Sequence, residues 1–302
     1  MGLESLNENF NMIEADLVYV DKTVSFRPPI EQLKALYYKE ISTFIDIPIK
    51  FSGLGGNPSI FKVIPNRNAE SLTAVYAKAE ELFARLDNMI NTFKSWTALG
   101  YFDLETYIEE NFKDVKDWEN NFKMLRVKRK ELDKLNEYYK IDTFFNIRTE
   151  PFKRGIEDLF NRMHDILKFS LKSAIKADME SIDQFIDESM KKLNARPQSV
   201  EEIGQAKAEA VEIAGKKDKF VELYNQCEER NKVLIQVAGE GAHIGDMQNR
   251  WENFDVALNA FSSMIDEQKN VLKQETDKRI QALNGELEKT YNRWEALKPK
   301  ET

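Results

Sequence analysis

The chain has 302 residues, and its 44 Lys and Arg stand against 52 Asp and Glu for a formal net charge of −8. That balance disfavours a nucleic-acid binder of the simple electrostatic kind, because phosphate neutralisation needs a basic excess on the binding face. Apolar residues make up 42% of the chain, enough to bury a core, but 32% is charged and only 12 Gly and 8 Pro are present, which favours long, solvent-edged helices over a strand-rich or α/β enzyme fold.

One cysteine, Cys227, cannot form an internal disulfide, and nothing resembling a cleavable secretory segment follows Met1. The expected setting is therefore reducing and cytoplasmic. No apolar run approaches the roughly eighteen residues needed to cross a bilayer, so no membrane insertion is expected.

In chain order, Leu17 to Val20 and Thr23 to Phe26 are short β-branched and aromatic runs around Asp21-Lys22, and they predict a small N-terminal hairpin. Pro28-Pro29 suits the first turn of a helix reaching about Asp46, with Ile30, Leu33, Tyr37, Ile41 and Phe44 on one stripe. Pro48, Gly53, Gly55, Gly56, Pro58 and Pro65 predict one extended loop.

From Asn66 onward the pattern is helical almost throughout. Leu72, Val75, Ala79, Leu82, Leu86, Met89, Phe93 and Trp96 alternate steps of three and four up to Gly100. Asp103 is placed to cap the next helix, whose stripe takes in Val115, Trp118, Phe122, Leu125, Leu132, Leu135 and Tyr139 before the pattern breaks between Ile141 and Arg148. Thr149 as a cap and Pro151 in the first turn open a third long helix. Its later stripe, from Leu171 through Ile182 to Leu193, steps nearer to an eleven-residue repeat than to a heptad.

Arg196-Pro197 closes that helix, and Ser199 with Glu202 has capping-box spacing for the fourth. Its seam of Ile203, Ala206, Ala210, Ile213, Phe220, Tyr224, Cys227 and Leu234 is interrupted by Lys217 and Asn231, polar seam residues that more often fix register than bind a ligand. Gly239, Gly241 and Gly245 break to a fifth helix, which can run to Lys298 before Pro299. Its stripe of Ile244, Met247, Trp251, Phe254, Leu258, Phe261 and Ile265 shifts at Leu272, Thr276 and Ile280. Each helix has one apolar stripe, so the expected fold class is all-α: elongated, stacked antiparallel bundles with a small N-terminal hairpin. Trp118, Trp251 and Trp294 invite comparison with spectrin-like three-helix units.

The chemistry of a site is largely missing. Gly215-Lys216-Lys217 lacks both the preceding glycine and the following hydroxyl of a phosphate-binding loop, and the glycines from Gly239 to Gly245 have the wrong spacing for a dinucleotide turn and follow a helix. With one Cys and two His, His164 and His243, a zinc site would have to be completed by carboxylates, and no paired spacing suggests it. Cys227 reads as a small buried hydrophobe. Glu80-Glu81, Glu109-Glu110, Glu201-Glu202 and Glu228-Glu229 read as solvated helix faces. The basic run Arg126 to Lys130 reads as a helix exterior, with docking of an acidic partner as the functional alternative. No catalytic, cofactor-binding or metal-binding residue is expected, and no cofactor.

The blocks Phe26-Arg27-Pro28-Pro29-Ile30-Glu31-Gln32-Leu33, Trp96-Thr97-Ala98-Leu99-Gly100, Asp117-Trp118-Glu119-Asn120-Asn121-Phe122-Lys123, Arg196-Pro197-Gln198-Ser199-Val200, Trp251-Glu252-Asn253-Phe254 and Arg293-Trp294-Glu295-Ala296-Leu297-Lys298-Pro299 resemble the tail of dynein heavy chains. The similarity is greatest to the class that drives retrograde intraflagellar transport. It extends from about Val18 to Pro299.

The resemblance implies a non-catalytic strut in the C-terminal part of the tail, ending where the motor's linker starts, with nucleotide sites and microtubule-binding stalk lying downstream. It implies accessory chains, intraflagellar transport train proteins and a neighbouring heavy-chain tail as the candidate partners, at the cytoskeleton and in the cilium. A start at Met1-Gly2 in mid-tail suggests a fragment. Three regions are expected: 1–65, 66–195 and 196–302. A free-standing spectrin-like or coiled-coil adaptor accounts for the helices equally well but leaves these blocks to chance, and an all-α enzyme is the weakest reading.

Overall fold

The computed structural model describes residues 11–51, 63, 67, 69–197, 199–242 and 244–298. Among them are seven helices and four strands: β1 (Ile13–Val20), β2 (Thr23–Arg27), α1 (Ile30–Phe51), α2 (Ala69–Tyr101), α3 (Leu104–Asn111), α4 (Val115–Asp133), β3 (Tyr138–Ile141), β4 (Phe145–Arg148), α5 (Glu150–Leu193), α6 (Val200–Ala238) and α7 (Gly245–Leu297). The chain is an all-α bundle protein carrying one small sheet. It divides into two compact units, Met1–Leu167 and Lys168–Thr302.

The hairpin expected from Asp21-Lys22 forms, with Val20 opposite Thr23 and Asp16 opposite Arg27. Asp21 and Lys22 have φ of 50° and 65°, the left-handed geometry that a two-residue turn requires and that Asp tolerates better than Lys. The sheet, however, has four strands in the order β2-β1-β4-β3, with β1 parallel to β4. The stretch around Ile141–Arg148, where the helical pattern breaks, supplies a second hairpin, β3–β4, turning at Asp142 with φ 55°. Tyr139, assigned above to a helical stripe, is therefore a strand residue, because α4 ends at Asp133. Asp16 and Arg148 sit opposite one another in the parallel ladder, and the guanidinium donates to both carboxylate oxygens at 2.8 and 3.0 Å.

The single helix expected after Asp103 is also divided. Asp103 does cap, accepting from the Thr106 N–H at 3.2 Å, but α3 lasts eight residues. Asp117 then accepts from the N–H groups of Lys113 and Asp114, both at 2.9 Å, and starts α4. Asp103 and Asp117 each accept from backbone N–H groups at the start of a helix, which lowers the cost of a second start. At the first helix the prolines stand before α1, not in it: Gln32 and Leu33 donate to the Pro29 carbonyl. The backbone stays helical beyond Asp46 and past Pro48 to Phe51. Most of the loop expected up to Pro65 lies outside the described residues.

In the first unit the core gathers on the sheet. Leu17, Phe145 and Ile147 from the strands, Leu33 and Tyr37 from α1, and Leu82 and Leu86 from α2 are all at most 2% exposed. Tyr37 is the hub, with its ring 5.6 Å from Phe83, 5.4 Å from Phe144 and 6.0 Å from Phe145, within the range where aromatic pairs add to area burial. Thr149, fully buried, donates its hydroxyl to the Glu137 carbonyl at 3.1 Å and also to Asn136, so it ties the start of α5 to the edge of β3 as well as preceding the helix.

Close packing explains two glycines. A Cβ on Gly100 would lie 2.0 Å from the Tyr19 hydroxyl, and one on Gly155 would lie 2.9 Å from the Tyr19 carbonyl oxygen. Gly100→Ala is expected to destabilise the first unit by about 1–3 kcal/mol through overpacking, with most of the loss restored when Tyr19→Phe removes the hydroxyl. Urea unfolding of the two single variants and the double variant measures this; equal losses with and without the hydroxyl would contradict it.

In the second unit, Ser199 and Glu202 form the anticipated capping box, with Glu202 N–H donating to Ser199 Oγ at 3.2 Å and Ser199 N–H to Glu202 Oε2 at 3.4 Å. Gly239, at φ 77°, ends α6 and donates to Ile235, the left-handed cap that glycine adopts without a Cβ penalty. Asn231 holds the turn by accepting from the Ala242 N–H at 2.7 Å, a register role as expected of a polar seam residue. Ile182 and Ile186 of α5, Ile213 and Leu234 of α6, and Phe254, Phe261 and Ile265 of α7 are buried.

Candidate functional site

The residues singled out for possible chemistry are scattered. His164 lies edge-on to Phe122 at 5.3 Å, half-buried in the first unit, while His243 lies outside the described residues. Gly215, Lys216 and Lys217 are inside α6, and Lys216 pairs with Glu212 one turn back at 2.6 Å. In the basic run, Lys128 pairs with Glu131 at 2.6 Å and lies over the Trp96 ring at 5.8 Å, and Arg129 donates to Asn161 at 2.6 Å. Glu80 accepts from Tyr38, and Glu81 pairs with Lys78 and Arg85.

Cys227 is fully buried, and that burial pushes its thiol up to about 11. Its ordinary value is about 8.5, so the folded protein prefers the protonated form. The stabilising contribution is complete below pH 8.5 and is lost as pH rises toward 11. Alkylation at pH 8 is expected to proceed only upon unfolding, with a rate following urea; rapid labelling of the native protein would contradict the burial.

A groove of about 1110 Å³ opens in the first unit between the β1–β2 turn, the α2–α3 junction and the start of α5. Asp21, Asp103, Glu105 and Asp158 line it with Lys22 and Arg162, and Lys22 lies 5.4 Å from the Tyr101 ring. No histidine, cysteine, serine or threonine lines it among the described residues. Among the described residues no group of three or more His, Cys, Asp or Glu is arranged to hold a metal ion, and no helix is long and apolar enough to cross a membrane.

The most ordered electrostatic feature is instead a set of interhelical ion pairs in the second unit. Arg250 of α7 donates to Asp183 and, at 2.5 Å, to Asp187 of α5. Arg230 of α6 pairs with Asp178 of α5. Lys217 and Lys207 of α6 reach Asp255 and Asp266 of α7 at 2.8 and 3.6 Å. Exposed pairs contribute little stability singly, about 0–1 kcal/mol. Arranged along a seam they select register and orientation. Sequence reasoning identified the apolar stripes but not this pattern, for which Asp255 and Asp266, eleven residues apart on α7, are the available signal.

No family model matches the chain. Curated relatives do. It is 39% identical over 302 residues to a protein of Homo sapiens, 33% identical over 303 residues to one of Caenorhabditis elegans, and 28% identical over 310 residues to one of Chlamydomonas reinhardtii, in each case across 99% of this chain. Together with the helical fold, these matches define a homologue of a motor-protein segment, from a dynein heavy chain. The three relatives are each cytoplasmic dynein 2 heavy chain 1, and the chain spans 7% of their length.

Proposed function

We propose that the chain is a non-catalytic strut of a dynein heavy chain, transmitting force and geometry between the subunits that bind cargo and the motor in minus-end-directed retrograde transport in cilia. The observation that carries this reading is the similarity to cytoplasmic dynein 2 heavy chain 1 across 99% of the chain. The build of the second unit supports it. Three long helices held by interhelical ion pairs and joined by short capped turns resist bending, as a force-bearing element must. On this reading the partners are dynein accessory chains and intraflagellar transport train proteins, and the locations are the cytoplasm, the cytoskeleton and the cilium. On this reading nucleotide chemistry belongs elsewhere in the heavy chain: Gly215 and Gly245 lie in helices, Gly239 caps α6 and Gly241 lies in the turn that follows it.

The test replaces the segment within the heavy chain by a flexible Gly-Ser linker of the same length. The expected result is a motor that still hydrolyses ATP but no longer supports retrograde transport in cilia. Undiminished transport would overturn the strut, and ATP turnover by the purified 302-residue chain would overturn its non-catalytic character.

A further inference from the structure

The basic run singled out in the sequence lies on α4, and the cations of that helix divide between two faces. Lys128 meets Glu131 and the Trp96 ring, while Arg129 meets Asn161 and Glu157 of α5. Lys116, Lys123, Arg126, Lys130 and Lys134 are exposed on the other side, and none of the five makes an ion pair among the described residues. Lys116, Lys123 and Lys130 stand seven residues apart, and Val127, 48% exposed, falls on the same ridge with Lys134. At about 100° per residue, the four lysines and the valine lie within about 60° of arc over roughly 27 Å.

Helix stability does not account for this ridge. Cations help near a helix C-terminus, which covers Lys130 and Lys134, but Lys116 lies in the first turn, where a positive charge opposes the helix dipole. Of the carboxylates on α4, Glu131 is held by Lys128, and Asp117 accepts from the backbone at the helix start. Glu119 and Asp133 remain, both to one side of the ridge with Arg126 between them. That flank is close to neutral, and the ridge beside it is wholly basic in a chain whose net charge is −8.

We propose that this ridge docks an acidic α-helix of a separate polypeptide, one whose carboxylates recur every seventh residue and which crosses α4 at about 20°. The spacing selects a helix, because a seven-residue repeat drifts by about 20° per step on a straight helix and follows a partner helix only along a shallow left-handed crossing. The composition selects a separate polypeptide. The seams that join helices within this chain are apolar stripes, whereas here one valine stands among four lysines, a surface that folds uncovered and meets its partner through complementary charge. A phosphate polymer suits the ridge less. One cation per roughly 10 Å of helix neutralises little of a continuous polyanion, which would also meet Glu119 and Asp133. This deepens the strut reading by giving the chemistry of one partner, and it rests on that reading.

The probe is a stapled, alanine-rich helical peptide with a glutamate at every seventh position and one leucine, followed by fluorescence anisotropy against the 302-residue chain. Its affinity is expected to fall about tenfold between about 50 and 300 mM salt. Lys116→Glu with Lys123→Glu and Lys130→Glu should weaken it at least about tenfold and should create binding of the same peptide with lysines in place of glutamates, a swap that loss of folding does not produce. A peptide with its glutamates at every fifth position, which spreads them around the helix, should bind at least about tenfold more weakly. In the native complex, the full-length heavy chain with the polypeptides that purify with it, zero-length carbodiimide coupling joins an amine to a carboxylate with loss of water. It is expected to link Lys116, Lys123 or Lys130 to a glutamate or aspartate of a different polypeptide, within a helix that has the seven-residue spacing. Equal binding of the two peptide spacings, an unswapped preference, tighter binding of duplex RNA or phosphatidylserine vesicles than of the peptide, no coupling, or coupling confined to the heavy chain would each overturn the proposal. None of these outcomes touches the strut reading, which is decided by transport with the segment replaced.

Discussion

Phe145→Ala is expected to destabilise the first unit by about 3–5 kcal/mol, the usual cost of deleting a fully buried aromatic side chain. Phe145 is 0% exposed and opens β4, where it pairs with Ile13 on one side and Ile141 on the other. Its ring stacks on Tyr37 at 6.0 Å and approaches Phe83 at 6.4 Å. Truncation leaves a cavity between the sheet and two helices that are held apart by other side chains, so collapse is incomplete and the loss stays near the upper end. For a unit of this size the shift in midpoint is on the order of 10 °C. Calorimetry checks the value, and Phe145→Leu, which retains much of the volume, should lose less. A loss under about 1 kcal/mol for Phe145→Ala would mean that the sheet is not the centre of this core.

Phe254→Ala is expected to have a comparable effect in the second unit, again about 3–5 kcal/mol. Phe254 is 0% exposed and lies 5.6 Å from Phe185, which in turn stacks on Phe220 at 4.1 Å with planes 13° apart. These rings come one from each of α7, α5 and α6, so one truncation loosens all three helices at their meeting point. Arg250 of the same helix then loses the packing that aligns it with Asp183 and Asp187. Arg250→Met, which keeps the apolar stem but removes the charge, isolates the electrostatic part and is expected to cost roughly 1 kcal/mol, as partly exposed pairs do. Hydrogen exchange of α5, α6 and α7 distinguishes the two variants. The truncation should speed all three helices, the charge variant only the ends near residue 250.

Much of the fold was legible because long helices declare themselves by repetition. The stripe from Ala79 through Phe93 on α2, the Ser199–Glu202 box, the glycine cap at Gly239 and the start of α7 all depend on residues within one or two turns of each other. The β1–β2 hairpin was legible for the same reason. What failed was the segment after Asp133. Tyr138, Tyr139, Phe145 and Ile147 carry strand character, but Tyr139 also continues a helical stripe, and four-residue strands are too short to outvote it. Likewise Asp114 and Asp117 are an N-cap pair only if the chain bends at Phe112 to Lys113, a bend that the stripe through Val115 and Trp118 does not require.

The residues that could compose a chemical site were countable in the sequence. One cysteine, two histidines and misplaced glycines leave few ways to assemble a nucleophile or a phosphate cradle, and their separation along the chain made a chance meeting the only route. The interhelical charges were not readable, since Asp255 and Asp266 look like any solvated pair until α6 lies beside them.

The helical class, most helix starts and stops, the apolar face of each helix and the similarity to dynein heavy chains could be read from the residues alone, because these depend on local spacing and on the order of residues. Three features came from tertiary packing: β1 joins β4 across more than a hundred residues, Gly100 and Gly155 lie close against Tyr19, and the second half of the α7 stripe is exposed among the described residues. Local periodicity records which face is apolar. Which element covers that face depends on contacts between residues far apart in the chain, and the free energy of those contacts is set by shape and charge on both sides at once.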